Sequence, residues 1–260
     1  TTSQDTRERR FDLVSDLLVA HYDIRTDVDD LHAIAAMGSI LRHPDYADLR
    51  FHATVGTVGT QVGRFIDVPA LYPAAFGERW GHAIARPVEA LAAEVSAIRE
   101  AIAAGGDVWI AEGGQSDFTA RVLAALGEDA PAGRIHVVQH ADWNEEVTTP
   151  SALAAVRQRS DYHKIPDGNA GGNGTAQLRT PSPAIAARFA AGAATADIWS
   201  LALAAASAEN GRDAYDNSAI GAGGLDFSDT VEVLYILEED GISDASDFAD
   251  RFLDPPGRSR

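Results

Sequence analysis

Residues 17–42 read LLVAHYDIRTDVDDLHAIAAMGSILR, and their character changes part-way along. The first eight residues, 17–24, are mostly apolar and favour extended structure, which predicts a β-strand. Residues 28–42 have apolar side chains at helical spacing and predict an α-helix. The apolar stripe of this helix consists of Leu31, Ile34, Ala35, Gly38 and Leu41. Thr26 with Asp29 fits a capping box at the start of the helix.

The alternation of strand and helix continues along the chain. Further strands are predicted at 49–57, 107–114, 134–140 and 162–168, and helices at 87–104, 116–126, 150–159, 194–208, 228–240 and 245–252. The stretch 168–193 is rich in glycine and proline and predicts a loop. Repeated strand–helix units predict an α/β fold with a mostly parallel central sheet flanked by helices in Rossmann-like layers. No internal repeat or long linker interrupts the pattern, so residues 1–260 are expected to form a single domain.

Composition limits the partners that this chain can have. The 260 residues have a formal net charge of −18 and a single lysine, Lys164, so a nucleic-acid partner is not expected. The absence of cysteine excludes disulfides, thiolate metal ligands and cysteine nucleophiles. No apolar run approaches the roughly 18 residues of a membrane span, and no hydrophobic leader opens the chain. We therefore expect a soluble protein, cytoplasmic or exported, that binds a small molecule; a homo-oligomer is compatible with this.

Each predicted strand of the sheet ends in polar residues. These ends lie at 23–30, 57–61, 112–117, 140–145 and 167–173. Ligands of parallel sheets bind beyond the carboxyl ends of the strands. Loops are polar also because they face water, but five polar ends at one edge predict a binding site there.

Four aspartates lie within eight residues at the first strand end: Asp23, Asp27, Asp29 and Asp30. Like charges this close repel one another, and the repulsion raises their pKa values. A helix N-terminus relieves part of that cost for Asp29 and Asp30, and a bound cation would relieve more. Ca²⁺ takes about six to eight oxygen ligands, mainly carboxylates and carbonyls. The cluster therefore predicts a hard-metal site, and the alternative is a capped helix start with solvated acids.

The segment DIRTDVDD (23–30) resembles the N-terminal Asp-x-Asp-x-x-x-Asp-Asp motif of nucleoside hydrolases of the inosine–uridine-preferring type, which binds calcium in that family. Aligned without gaps, Asp23, Asp29 and Asp30 match the first, third and fourth aspartates of the motif. Arg25 falls on the second, which is the usual general base of the family. A short shift in the loop would bring Asp27 to that place, and the segment is also similar to the Thr-Asp-x-Asp-Asp element of more distant nucleoside-hydrolase-like proteins.

Two further segments resemble the same family. VWIAEGGQSDFTARVLAAL (108–126) is similar to its strand, turn and helix, where a backbone carbonyl just before the turn binds calcium; Glu112 occupies that position. LDFSDTVEVLYIL (225–237) is similar to its His-Asp-Pro segment, so that Asp229 matches a metal-binding aspartate and Ser228 replaces the histidine. The calcium ligands that the resemblance implies are Asp23, Asp29, Asp30, Glu112 and Asp229.

Other polar residues near the strand ends are candidates for contact with a substrate. Trp143 could stack on a base or a sugar, or it could be a packed residue with a polar edge. His140 is a candidate acid in place of Ser228. The loop GNAGGN (168–173) resembles a ribose-contacting loop of the family, although asparagine also suits tight turns. The remaining candidate contacts are Arg25, Gln61, Asp117, Asn144, Glu145, Asn169 and Asn173.

The resemblance implies hydrolysis of the N-glycosidic bond of a ribonucleoside or a related glycoside. A metal would hold sugar hydroxyls and a water and would lower the pKa of that water. Asp27, with Asp23 beside it, would act as the catalytic base. Two alternatives stay open. Arg25 and Ser228 replace the expected base and acid, which favours another sugar substrate, including anionic ones. A non-catalytic sugar- or nucleoside-binding protein is the second alternative.

Overall fold

The computed structural model describes residues 9–254, and the polar first residues of the chain lie outside the described residues. The central sheet consists of β1 (Leu17–Tyr22), β2 (Arg50–Val55), β3 (Trp80–His82), β4 (Val108–Gly113), β5 (Ile135–Gln139) and β6 (Asp161–Lys164). A separate antiparallel pair consists of β7 (Arg179–Thr180) and β8 (Leu225–Asp226). The α-helices are α1 (Asp29–Arg42), α2 (Leu71–Phe76), α3 (Pro87–Ala103), α4 (Asp117–Leu126), α5 (Asp142–Glu146), α6 (Pro150–Arg159), α7 (Pro183–Ala191), α8 (Ala196–Glu209), α9 (Ser218–Gly221), α10 (Val231–Ile236) and α11 (Ala245–Phe252).

The order of the strands in the central sheet is β3-β2-β1-β4-β5-β6, and all neighbours are parallel. The chain first builds outward from β1 to β3 and then continues on the other side of β1 with β4. In doubly wound sheets such a reversal of direction leaves a crevice at the carboxyl ends of the two central strands. The prediction of an α/β fold with a parallel central sheet is confirmed, and its topology places a binding crevice between the ends of β1 and β4.

Alternate residues of β1 belong to two different cores, because successive side chains of a strand point to opposite faces. Leu18 and Tyr22 pack in the larger core with α1 and α8. Leu17 and Val19 pack in the smaller core with α3 and α4. Both faces of the sheet are therefore covered by helices, as parallel sheets require.

The helix predicted at 28–42 forms as α1, and its predicted apolar stripe packs in the larger core, but burial extends beyond that stripe. All residues of α1 from 30 to 40 are buried, because the helix packs on the sheet and also contacts α2 and α8. A Cβ at Gly38 would lie 2.8 Å from the side chain of Ile198, so glycine permits the close approach of α8. The predicted capping box is wrong. Val28 is the N-cap residue without a side-chain cap, and Thr26 Oγ1 donates instead to the carbonyl of Val62.

The larger differences from the sequence prediction lie in short elements. The predicted loop 168–193 contains β7 and α7, and α7 begins with a serine cap in which Ile185 N–H donates to Ser182 Oγ (3.3 Å). The predicted helix 228–240 is a 3₁₀ turn at Ser228–Thr230 followed by the short α10. The sequence pattern does not indicate α2, β3, α5 and α9, because these elements are too short for a clear periodicity. None of the helices within 9–254 has both the length and the apolar character that crossing a membrane requires.

Candidate functional site

A cavity of about 300 Å³ opens at the carboxyl edge of the sheet, beside the ends of β1 and β4. It is lined by Asp23, Arg25, Thr26, Asp27, Asp29, Gly113, Ala141, Trp143, Asn144, Asn169, Arg179, Tyr215 and Asp229. Three of the five predicted polar strand ends supply side chains directly to its wall, namely those after β1, β5 and β6. Most of the residues that line this crevice are therefore polar or charged residue types.

The turn between β1 and α1 is strained. Ile24 has a φ of 50° and Thr26 a φ of 80°, a left-handed region that β-branched residues rarely adopt. Ile66 N–H donates to the carbonyl of Ile24 (2.9 Å), and Arg25 Nε donates to the carbonyl of Gly63 (2.6 Å). Such strain, about 1–3 kcal/mol per residue, persists only where the surroundings impose it, commonly at functional sites.

Two groups of carboxylates meet beside this turn and share Asp29. Oxygens of Asp29, Asp30 and Asp229 lie within 4.8 Å of one another, and so do oxygens of Asp27, Asp29 and Asp226. Bonds of about 2.3–2.6 Å to Ca²⁺ would place opposed ligand oxygens about 4.6–5.2 Å apart. The spacing within each group therefore suits ligands around one hard cation. The fold brings these aspartates together from segments near the two ends of the chain.

Asp30 lies at the bottom of the first group and is 1% exposed. Its Oδ2 accepts a hydrogen bond from Ile24 N–H (2.8 Å), whereas its Oδ1 has no hydrogen-bond partner among the described residues. Burial, followed by the charges of Asp229, Asp23 and Asp29, raises the pKa of Asp30 well above its ordinary value. A buried carboxylate oxygen that faces other carboxylates without a donor requires a proton or a cation.

The first group fits a divalent cation in its chemistry as well as its spacing. Asp29, Asp30 and Asp229 would bind the ion through carboxylate oxygens, the donor type that Ca²⁺ and Mg²⁺ prefer. Gly113 lies beside them, where a Cβ would make ordinary contacts with Asp229 Cβ (3.5 Å) and Asp30 Oδ1 (3.8 Å). Glycine is required at this position by the neighbouring strand, because the same Cβ would lie only 2.6 Å from the carbonyl oxygen of His21. The choice of calcium over another hard cation stays a prediction.

The side chain of Glu112 does not join this group. Glu112 pairs with His21 in the sheet, so the two side chains lie on the same face. Its Oε1 accepts from His21 Nδ1 (2.8 Å) and its Oε2 from Thr119 Oγ1 (2.6 Å). The carboxylate lies in the smaller core, on the opposite face of the sheet from α1. Of the Glu112 atoms, only the backbone carbonyl oxygen, and not the side-chain carboxylate, can therefore be the predicted metal ligand.

Asp23 is held by a chain of side-chain amides. Gln115 Nε2 donates to Asp23 Oδ2 (2.8 Å), and Gln61 Nε2 lies 3.3 Å from the same oxygen. Gln115 Nε2 also donates to Asn144 Oδ1 (3.1 Å), and Asn144 Nδ2 donates to Gln139 Oε1 (3.2 Å). Burial raises the pKa of Asp23 to about 7. Gln61 was predicted to contact substrate, but it lies behind Asp23 and orients it.

Gln115 holds Asp23, which the sequence predicts as a calcium ligand and whose charge acts on Asp30. Replacing Gln115 by leucine is therefore expected to weaken cation binding by about tenfold, because residues that orient metal ligands typically contribute 10- to 100-fold in affinity. The leucine would remove the N–H that donates to Asp23 and leave the volume of the side chain nearly unchanged. Calorimetric titration with Ca²⁺ measures the effect. Gln158→Leu, on the exposed surface of α6, is the matched control and should bind as the wild type does. Equal affinities in the two variants would contradict an orienting role for the amide chain.

The second carboxylate group is already partly neutralised by donors. Asn217 Nδ2 lies 3.2 Å from both carboxylate oxygens of Asp27 and donates to Asp226 Oδ2 (2.8 Å). Arg179 Nε lies 3.4 Å from Asp226 Oδ2. Burial and the charge of Asp226 raise the pKa of Asp27 to about 6. These donors make the second group a weaker candidate for a cation than the first, and they leave Asp27 oriented beside the cavity.

His140 lies behind the cavity wall. Its Nε2 donates to Asp229 Oδ1 (2.8 Å), while Gly168 N–H donates to its Nδ1 (3.0 Å). The side chain is fully buried, so His140 positions Asp229 and does not face the cavity as the predicted acid would. Ser228 is also buried, and its Oγ donates to Asn169 Oδ1 (2.8 Å).

Four of the predicted substrate contacts line the cavity: Arg25, Trp143, Asn144 and Asn169. Trp143 is 42% exposed, so it is not the packed residue that the alternative interpretation required. Its indole is accessible to a ligand at the cavity wall. Asn144 is buried and belongs to the amide chain as well, so a substrate that contacts it would also contact the group that orients Asp23.

Three predicted substrate contacts lie elsewhere. Asp117 Oδ2 accepts from a backbone N–H of the turn between α5 and α6 (3.1 Å). Glu145 accepts from the hydroxyl of Tyr162 (2.7 Å). Asn173 Nδ2 donates to the carbonyl of Asp167 (2.6 Å) and does not line the cavity. Polar residues near strand ends also stabilise the loops themselves, which accounts for these contacts. A contact of Asp117, Glu145 and Asn173 with substrate stays a prediction.

Several residues of the site were not predicted from the sequence. They are Gln115, Gln139, Arg179, Tyr215, Asn217 and Asp226. Of these, Asp226 could have been suspected, because it lies three residues before the predicted ligand Asp229. Arg179 and Tyr215 belong to segments that reach the cavity through tertiary packing, which local patterns do not indicate.

Comparisons of the chain with protein-family models, with curated proteins and with solved structures find no significant match. The assignment of a function therefore depends on the fold, on the chemistry of the cavity and on the short motifs of the sequence.

Proposed function

We propose that the protein is a metal-dependent hydrolase that cleaves the N-glycosidic bond of a ribonucleoside or a related glycoside. The observation that carries the proposal is the buried Asp30 oxygen that has no hydrogen-bond partner among the described residues. Asp30 lies next to Asp29 and Asp229, which are both residues of the cavity wall. A cation there would border a space large enough for a small ligand. The resemblance of 23–30 and 225–237 to nucleoside hydrolases supports the choice of the glycosidic bond.

The residues of the cavity fit roles in such a reaction. A bound hard cation would supply Lewis acidity, lowering the pKa of a water and holding neighbouring sugar hydroxyls. Asp27 lines the cavity beside Asp29 and is oriented by Asn217, so it is the proposed general base that removes the proton of the attacking water. Glycoside cleavage passes through a transition state with positive charge on the sugar, and the acidic wall would stabilise that charge.

Substrate contacts follow from the rest of the wall. The exposed indole of Trp143 could stack on a planar leaving group, and the amides of Asn144 and Asn169 could bind hydroxyls. His140 would act indirectly by holding Asp229 in place.

A second candidate function is favoured by two arginines in the same cavity. Arg25 and Arg179 both line it, and guanidinium groups bind carboxylates, sulfates and phosphates well. A sugar that carries such a group would then be the substrate in place of a neutral nucleoside. The same cation and the same base would serve both reactions.

Elemental analysis of dialysed protein, followed by a substrate panel, tests these functions. We expect about one divalent cation per chain, and release of free sugar that EDTA abolishes and Ca²⁺ restores. Ribose from inosine or uridine would support the first candidate, and turnover of uronate or phosphorylated glycosides alone would support the second. Tight binding without turnover would identify the non-catalytic alternative, and a protein without metal or Ca²⁺-dependent stabilisation would contradict the proposal.

A further inference from the structure

Two histidines and an aspartate come together on β5 and β6, the two strands at one side of the sheet. His136 on β5 pairs in register with Asp161, the first residue of β6. His163 lies two residues after Asp161, so the alternation of strand side chains places it on the same face. The three side chains thus share one face of the sheet, near the amino ends of the strands and away from the cavity at the carboxyl ends.

The three side chains converge on one point. His136 Nδ1 and His163 Nε2 both lie 2.8 Å from Asp161 Oδ2. One ligand atom from each residue lies within 4.8 Å of the other two. One carboxylate oxygen thus lies between two imidazole nitrogens. Small movements of these side chains would allow all three to bind the same cation.

The second ring nitrogen of His136 is held by a carboxylate outside the group. Its Nε2 lies 3.1 Å from Asp107 Oδ2, and Asp107 is itself paired with Arg9 and Arg134. The indole of Trp109 stacks on the imidazole of His136 at 4.0 Å between ring centroids. Metal-binding histidines commonly donate their other N–H to a carboxylate, which sets the tautomer and the orientation of the ring. Asp107 provides this support, so that Nδ1 of His136 is directed toward Asp161 and His163.

We propose that His136, Asp161 and His163 form a second metal site, for a borderline divalent cation of the Zn²⁺ class. Two imidazoles with one carboxylate are a typical ligand set for Zn²⁺. The side chains of Asp161 and His163 are partly exposed, at 49% and 27%, so the ion can enter and a water can complete its coordination. The site connects β6, an outer strand of the sheet, to β5, and it does not depend on the proposed hydrolase function.

The two metal sites would select different ions. The carboxylate group around Asp30 offers oxygen ligands alone and prefers hard cations, whereas the β5–β6 site offers imidazole nitrogens. Ca²⁺ in excess should therefore occupy the first site and leave the second open to Zn²⁺.

Calorimetric titration with Zn²⁺, in the presence of excess Ca²⁺, tests the proposal. We expect about one Zn²⁺ per wild-type chain, and affinity lowered by at least about tenfold in His163→Gln and in Asp161→Asn, since even residues that only orient ligands contribute this much. Glu128→Gln removes an exposed carboxylate outside the site and should leave Zn²⁺ affinity unchanged. Circular dichroism confirms that each variant is folded.

Paramagnetic resonance of the Cu²⁺-loaded protein gives a second readout. Coupling to two imidazole nitrogens is expected in the wild type and to one in His163→Gln, because the carboxylate group of the cavity has no imidazole ligand. Absence of Zn²⁺ binding, Zn²⁺ affinity unchanged in both variants, or a spectrum without imidazole nitrogen would overturn the proposal.

Discussion

Asp30→Asn is expected to lower the affinity for Ca²⁺ by about 100-fold or more and to remove most of the hydrolytic activity. The substitution keeps the size of the side chain but exchanges a charged oxygen for an amide, in a position where the cation has few other strong ligands. First ligands of a metal contribute more than the 10- to 100-fold typical of the residues that orient them. Titration calorimetry and the release of free sugar would measure both effects.

The same substitution should have the opposite effect on the metal-free protein. The introduced amide would remove the repulsion that burial and the neighbouring aspartates impose on Asp30, so Asp30→Asn in EDTA should unfold at a higher temperature than the wild type in EDTA. With Ca²⁺ the order should reverse, because only the wild type gains the binding free energy. Asp48→Asn, exposed between α1 and β2, is the control and should show neither effect. Equal Ca²⁺ responses in Asp30→Asn and wild type would remove Asp30 from the metal site.

The second large effect is expected at His21, which lies on the other face of the sheet. His21 is fully buried between two carboxylates: its Nδ1 donates to Glu112 Oε1 (2.8 Å) and its Nε2 to Glu94 Oε1 (2.9 Å). Ionised carboxylates can only accept hydrogen bonds, so both ring nitrogens must donate and the ring is an imidazolium. His21→Leu would leave two buried carboxylates without their counter-charge, and breaking a buried ion pair in this way costs about 3–5 kcal/mol of unfolding free energy. Glu94→Gln in the same chain should recover part of the loss.

The contribution of His21 to stability should depend on pH. Burial alone would lower its pKa, but Glu94 and Glu112 outweigh that effect and raise it from 6.5 to about 10; His52, the other titratable neighbour, lies on β2. Because the pKa of His21 is higher in the folded than in the unfolded state, its protonation stabilises the folded protein fully below pH 6.5. This stabilisation is lost as the pH rises through about 10. The difference in unfolding free energy between wild type and His21→Leu, from urea denaturation, should therefore be larger at pH 7 than at pH 10.5. An equal difference at both pH values, or a neutral imidazole by ¹⁵N NMR at pH 8, would contradict this account.

Long periodic segments made the architecture predictable, and short segments did not. The pattern of β1 followed by α1 recurs at β4 with α4 and at β5 with α6, and each gave a clear signal of apolar spacing. The three-residue β3 and the six-residue α2 lack a full period of either pattern. The serine and proline that open α7 were a usable helix-start signal, but the glycine-rich neighbourhood concealed it.

The candidate site was predictable where its residues are close in sequence. Asp23, Asp27, Asp29 and Asp30 lie in one turn, and their charge density alone indicated a common role. Arg179 and Asn217 reach the same cavity through packing of distant segments, which no local pattern describes. Glu112 shows a different limit. Its place at a strand end was identified, but its side chain follows that of His21 into the opposite core because the two residues are paired in register.

The position of Asp30 and Asp229 has a topological consequence. Asp30 lies in the first turn of the buried helix α1, whereas Asp229 precedes α10 near the end of the described chain. A cation bound by both would close a loop of about 200 residues, a reversible cross-link whose effect on the unfolded chain grows with loop length. Release of the ion would then be linked to separation of the first and last segments of the fold. Amide hydrogen exchange in α1 and α10 should accordingly slow together when Ca²⁺ is added, even though the two helices lie at opposite ends of the chain.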